Sequence, residues 1–202
     1  MKVEKTNNRF LVGVSLLIAI TVVLQTLSVV LIKIAGFGFN LVLIPIIIAC
    51  VLFGIKGGTI VGAAFGLTAF LHCVLGWDAG GALFFAENWY LTLLATFGRG
   101  AVVGLSASLV FGFTSRLFAN NRTVPSIITS VLTPIINTGL FVLIAYFLFF
   151  GLIESWAISE EAENVFKYLI GIVSLNFAFE IVSTTILCSP IVMALKKSIS
   201  AE

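Results

Sequence analysis

Charged residues are scarce in this chain. Only 10% of its 202 residues are Asp, Glu, Lys or Arg, whereas 60% are apolar. Soluble domains carry about 25% charged residues, so this sequence has too few charges to cover a surface that faces water. The bilayer is therefore the expected solvent, and each segment that crosses it has to satisfy its own backbone hydrogen bonds.

Alternation of polar and apolar residues is also missing. A transmembrane β-barrel shows such alternation in segments of about 10 residues, whereas the apolar stretches here are long and continuous. The sequence therefore predicts an all-α integral membrane protein with a single membrane domain, residues 1–202, and six transmembrane helices. The second of these is short for a full crossing, which takes about 20 apolar residues. The six predicted spans are residues 10–34, 41–53, 58–75, 90–113, 125–151 and 166–195.

Basic residues are distributed unevenly between the two sides that six spans create. If the N-terminus is cytoplasmic, most of the 11 Lys and Arg residues fall on the cytoplasmic side, which is the side that basic residues favour. Acidic residues collect on the opposite side, so we expect both termini in the cytoplasm. The basic residues on the cytoplasmic side are Lys2, Lys5, Arg9, Lys56, Arg116, Arg122, Lys196 and Lys197.

Sequence patterns of enzymatic chemistry are absent. The chain has no Gly-rich phosphate loop of the form G-x-x-x-x-G-K-[ST] and no G-x-S-x-G nucleophile elbow. Cys50, Cys73 and Cys188 lie within apolar segments, and no cluster of Cys, His and carboxylates has the spacing of a metal site. No basic patch is typical of nucleic-acid binding. We therefore expect no catalytic residue, no metal and no cofactor.

A few polar residues lie deep within the later spans, where they are costly and therefore become candidates for function. One interpretation is an ion pair between Arg99 and Glu180 that only ties two helices together. The other is that Arg99 binds the carboxylate or phosphate of a ligand, because its planar guanidinium suits such groups. Both interpretations stay open here. The candidates for a polar pocket in the fourth, fifth and sixth spans are Arg99, Asn137, Thr138, Asn176 and Glu180.

Two segments predicted on the outer side are candidates for a lid. Residues 76–89 are too apolar for a free solvated loop, and residues 152–164 contain Trp156 and four glutamates. One interpretation is a belt of interfacial aromatic residues with hydrated acidic groups. The other is a lid over an outward-facing cavity, and on that interpretation Asp78, Asn88 and Trp89 join the candidate ligand contacts.

Small residues recur at intervals of four in three of the predicted spans. Glycine does so across residues 58–66, and Gly or Ser does so across residues 100–112. Such stripes allow helices to approach closely, and we expect these two to serve packing within the protein. The first span contains a shorter stripe, Ser15-x-x-x-Ala19. Because this helix lies at the edge of the predicted bundle, docking of an external partner is more plausible there.

Several segments resemble the substrate-binding S component of energy-coupling factor (ECF) vitamin transporters. The Ser15-x-x-x-Ala19 stripe is similar to the A-x-x-x-A stripe of that family, with Ser in place of the first Ala. The resemblance extends over nearly the whole chain, and two segments, residues 78–81 and 134–139, are most similar to the pantothenate-specific branch. The other segments that resemble the family are Leu43-Ile44-Pro45-Ile46 and Gly54-Ile55-Lys56-Gly57-Gly58.

The resemblance implies a high-affinity vitamin-binding subunit in a bacterial cell membrane. It implies a pocket built from outer loops and the fourth to sixth spans, docking of Ser15 and Ala19 on a transmembrane coupling subunit, and ATP hydrolysis by two partner ATPase subunits. Pantothenate is the favoured vitamin, because Arg99 suits its carboxylate and Asn137 and Asn176 suit its amide and hydroxyls. Riboflavin, cobalamin or another vitamin remains an alternative substrate. A structural membrane subunit or a stand-alone facilitator remains an alternative role.

Overall fold

The computed structural model describes residues 2–35, 41–119 and 123–200, without the side chains of residues 2–7, 30–35, 189, 193 and 195–200. Every regular element in these ranges is helical, which confirms the predicted all-α class. The elements in chain order are α1 (Lys2–Ala35), α2 (Leu43–Val74), α3 (Ala79–Glu87), α4 (Trp89–Leu93), a π-turn (Leu94–Gly98), α5 (Arg99–Leu117), α6 (Thr123–Leu148), α7 (Phe150–Ser159) and α8 (Val165–Ser200).

Five segments of the described ranges are long and apolar enough to cross a membrane. The count of six spans and the cytoplasmic position of both termini stay predictions. Five of the basic residues on which the orientation depends lie outside the described side chains, namely Lys2, Lys5, Arg122, Lys196 and Lys197. The five segments are Asn8–Val29, Leu43–Val74, Trp89–Leu117, Thr123–Leu148 and Val165–Val192.

The chain reverses direction inside α2, at Gly54. This residue has φ 63° and ψ −153°, a combination that is essentially restricted to glycine. A Cβ at Gly57 would lie 3.2 Å from the carbonyl oxygen of Ala49, although eight residues of straight helix extend over about 12 Å. Residues 43–53 and 55–74 therefore form the two arms of a hairpin, whose turn lies at the predicted boundary between the second and third spans.

The first arm of α2 lies at the centre of the protein. All of residues 42–50 are buried, and they form the main hydrophobic core together with Val61 and Phe65 of the second arm and Val103 of α5. An arm of this length rises only about 16 Å at 1.5 Å per residue, which is short of the hydrocarbon thickness. Neighbouring helices therefore shield this arm from lipid.

The second arm of α2 and helix α5 pack with their backbones in direct contact. A Cβ at Gly62 would overlap the carbonyl oxygen of Gly100, and a Cβ at Gly104 would overlap that of Gly58. Only glycine allows two helices to approach this closely. These two stripes thus serve packing within the protein, as the sequence indicated.

The stripe on α1 has a different environment. Ser15 and Ala19 are exposed, and so are Val12 and Val23 on the same face of the helix. The opposite face of α1 packs against the core, where Leu17 is buried. The small residues of α1 are therefore not used for packing against the described helices.

Two short helices, α3 and α7, lie together at one end of the bundle, and we call them the cap. Asp78 begins α3, because its Oδ1 accepts a hydrogen bond from the backbone N–H of Gly81 at 3.0 Å. The Phe84 ring of α3 lies 5.5 Å from the Trp156 ring of α7 and 4.6 Å from the Phe149 ring that precedes it. Aromatic contacts at these distances hold the two helices together.

Candidate functional site

A cavity of about 230 Å³ lies beneath the cap. Phe84 and Trp156 of the cap line it from one side, and Phe141 of α6 lines it from another. An apolar wall with a few polar groups is typical of a small-molecule site. The polar side chains in the wall include Gln25, Asp78, Thr92, Thr96 and Arg99.

Arg99 is the first residue of α5 and follows the π-turn directly. Its backbone N–H donates to the carbonyl of Leu94, five residues back, so this turn holds one residue more than an α-helical turn. The wider turn accommodates the extra residue, and Arg99 lies in the wall of the cavity. Single π-turns within α-helices are frequent at functional sites.

Four contacts fix the orientation of the Arg99 guanidinium. Its Nε donates to the carbonyl oxygen of Ala95 at 3.1 Å, and its Nη1 donates to Oδ1 of Asn137 at 3.0 Å. The rings of Phe65 and Phe141 have their centroids 5.6 and 5.5 Å from the guanidinium carbon, which is within cation–π distance. A guanidinium has five N–H donors, so these bonds leave donors that a ligand in the cavity can use.

Behind Arg99, Asn137 leads to a buried carboxylate. Its Nδ2 donates to Oε2 of Glu180 at 3.3 Å, and the Nδ2 of Asn176 donates to Oε1 at 3.1 Å. Glu180 is 0% exposed. A carboxylate in such a position is costly unless it is paired and hydrogen-bonded. The two amides and the nearby guanidinium therefore stabilise Glu180, and together these four residues form a network that joins α5, α6 and α8.

The predicted ligand contacts fall into three groups. Four of them form the network, and Arg99 is its member in the cavity wall. Asp78 lines the cavity and also caps α3. The remaining three lie outside both the network and the cavity wall: Thr138, which is half-buried, Asn88, whose Oδ1 accepts from the Leu91 backbone N–H at 3.1 Å, and Trp89, which is 58% exposed.

The positions of Asn88 and Trp89 have local explanations. Asn88 precedes α4 and caps it, which is a common use of Asn at a helix start. Trp89 is exposed on the surface, where an interfacial aromatic residue is expected. Contact of Asn88, Trp89 or Thr138 with a ligand stays a prediction, and the position of the cavity does not support it.

Sequence reasoning missed Gln25 and most of the aromatic wall. Gln25 is an amide within the first span, and its Oε1 is buried without a hydrogen-bond partner in the described ranges. The rule that polar residues at membrane depth are candidates for function applies to it. Phe84 and Phe141 give no such indication, because 19 phenylalanines are spread along the sequence.

Comparison with known proteins identifies the family. The family model of the ECF transporter substrate-specific component matches residues 9–192, a range that contains the cavity, the cap and the four-residue network. No curated protein and no solved structure matches the chain. This chain therefore belongs to the family of ECF transporter substrate-specific components, multi-pass membrane proteins that are not enzymes but bind a small-molecule substrate and work with a membrane coupling subunit and ATPases.

Proposed function

We propose that this S component binds pantothenate in the cavity beneath the cap, with the carboxylate of the vitamin on Arg99. The observation that carries the proposal is the oriented guanidinium in the cavity wall. Its Nε and Nη1 are bonded to Ala95 and Asn137, and the remaining donors are available to a ligand. Charge-assisted bonds between Arg and a carboxylate are short and frequently bidentate.

The size of the cavity supports a small ligand. Its volume of about 230 Å³ lies below the range of about 300–1,000 Å³ that is usual for ligand pockets. Pantothenate is a short acyclic molecule, whereas cobalamin contains a corrin macrocycle. Riboflavin is the second candidate, because Phe84 and Trp156 offer aromatic surfaces on which a flavin ring can stack.

The first test is a fluorescence titration of the detergent-purified protein with pantothenate, riboflavin and cobalamin. Trp156 lines the cavity, whereas Trp77 and Trp89 are 45% and 58% exposed outside it. We expect a saturable change of emission with pantothenate that is retained in Trp89→Phe and lost in Trp156→Phe. A response to riboflavin alone would show that riboflavin, and not pantothenate, is the substrate. If a folded protein responds to none of the three vitamins, the proposal is contradicted.

We also propose that the Ser15 and Ala19 face of α1 docks on the coupling subunit. The face is exposed, and small residues at this spacing allow a second helix to approach closely. Because Ser15 and Ala19 lie outside the cavity wall, docking and ligand binding are separable.

Ala19→Trp is expected to abolish copurification with the coupling subunit, because the indole would hold the two helices apart. Binding of pantothenate should be unchanged. The matched control is Ile186→Trp on α8, at a position that is 62% exposed, and this variant should copurify normally. Normal copurification of Ala19→Trp would contradict the docking proposal.

A further inference from the structure

We propose that the cavity selects carboxylates that also carry hydroxyl or N–H donors, and that Gln25 accepts a hydrogen bond from one of those donors. The inference rests on the proposed function for the position of the carboxylate at Arg99. It adds the chemistry of the rest of the ligand and a binding residue on α1.

The first observation is the unpaired acceptor of Gln25. Its side chain lines the cavity, and its Oε1 is buried with no hydrogen-bond partner among the described residues. An unpaired buried acceptor is destabilising, and most buried polar groups in proteins are paired. The next residue, Thr26, has its partner within the protein, because its Oγ1 lies 3.3 Å from Nε2 of His72. No described residue supplies a donor to Gln25 Oε1, and we assign that donor to the content of the cavity.

The second observation concerns the hydroxyls of the wall. The Thr92 hydroxyl donates to the carbonyl oxygen of Asn88 at 2.9 Å, and the Thr96 hydroxyl donates to that of Thr92 at 2.8 Å. Each hydroxyl has one proton, so after these bonds its oxygen offers a ligand only lone pairs. The Cys73 thiol, which also lines the cavity, donates in the same way to the carbonyl oxygen of Ala69 at 3.2 Å.

Donors and acceptors are therefore unequally distributed around the cavity. Arg99 provides donors for one anionic group and the Gln25 amide nitrogen provides two more, whereas Gln25 Oε1, the two threonine hydroxyls and the Asp78 carboxylate provide acceptors. A ligand whose remaining groups only accept would leave Gln25 Oε1 unpaired and would place its lone pairs beside those of the threonine and Asp78 oxygens. A ligand with hydroxyl or N–H groups satisfies these acceptors.

The test compares two ligands in two proteins by isothermal titration calorimetry. The ligands are pantothenate and its analogue with both hydroxyls replaced by hydrogen, and the proteins are the wild type and Gln25→Met, which keeps the side-chain length without the amide. We expect the wild type to bind the analogue at least tenfold more weakly. In Gln25→Met the two affinities should approach each other, because the acceptor is gone.

The matched control is Thr26→Val, which removes a hydroxyl one residue away and outside the cavity wall. This variant should keep the wild-type preference for the hydroxylated ligand. If Gln25→Met also keeps the full preference, Gln25 is not the acceptor and the inference is overturned.

A second comparison in the wild type alone separates the donor requirement from the identity of the vitamin. Biotin is a carboxylate with N–H donors, and lipoate is a carboxylate without them. Binding of biotin but not of pantothenate would overturn the proposed substrate and support the donor requirement. Tightest binding of lipoate would overturn the donor requirement but support the carboxylate at Arg99. If a folded protein binds none of the three, both proposals are overturned.

Discussion

Arg99→Gln is expected to weaken pantothenate binding by about a thousandfold. Removal of one partner from a buried, hydrogen-bonded charge pair costs about 2–5 kcal/mol, and every 1.4 kcal/mol is a factor of about ten in affinity. Arg99→Lys keeps the charge but loses the planar fork and the bond from Nε to Ala95. It should therefore bind with an intermediate affinity, and isothermal titration calorimetry measures both variants.

Two controls keep this prediction specific to the carboxylate. Arg116→Gln removes an exposed arginine at the far end of α5 and should leave the affinity unchanged. Pantothenol, which has an alcohol in place of the carboxylate, should bind weakly to the wild type and equally weakly to Arg99→Gln.

The substitution also leaves Glu180 without its nearby cation, so Arg99→Gln with Glu180→Gln serves as a neutral version of the network. If this double variant is folded and still prefers pantothenate to pantothenol, the guanidinium does not bind the carboxylate. The network is then only a structural tie between helices.

Gly104→Ala is expected to lower the free energy of unfolding substantially, by an amount at the upper end of the range of about 1–3 kcal/mol that is typical of overpacked positions. The added Cβ would overlap the carbonyl oxygen of Gly58 and lie 3.2 Å from the Cα of Thr59. Both are backbone atoms, which have no rotamer that moves them away, so α2 and α5 would have to separate. Thermal unfolding of the purified protein in detergent measures the effect.

Gly112→Ala is the matched control on the same helix. Its Cβ would have no neighbour within 4 Å, and alanine is favoured over glycine in a helix by about 1 kcal/mol. This variant should be as stable as the wild type or more stable. Equal stability of Gly104→Ala and Gly112→Ala would show that the close approach of α2 and α5 contributes nothing.

The sequence predicted those features of the fold that depend on composition and spacing. The low fraction of charged residues predicted a membrane protein, and the continuous apolar stretches predicted helices. The glycines at intervals of four predicted close packing within the protein. The reversal at Gly54 lies at the boundary predicted between the second and third spans. Hydropathy alone would also allow these two apolar stretches to continue as one long helix, and the backbone angles of Gly54 decide between the two arrangements.

The network behind the cavity was also partly predictable. Asn137 and Glu180 are costly in a membrane unless they have partners, so their convergence with Arg99 was expected. For the two segments that form the cap, the sequence left a lid and an interfacial belt open, because aromatic residues such as Phe84 and Trp156 are typical of both. Their contact with each other depends on where α3 and α7 lie, which is a long-range property of the fold.

The π-turn gives this site an unusual evolutionary property. The direction in which Arg99 points depends on the geometry of the turn that precedes it, and not only on which residues form that turn. A π-turn absorbs one extra residue with little net rotation of the helix that follows it. If the same residues 94–98 formed a regular α-helical turn, Arg99 would be turned by about 100° and would leave the cavity wall. The position of this cation thus depends on the width of one helical turn, and a change there could displace it without any substitution in the cavity wall.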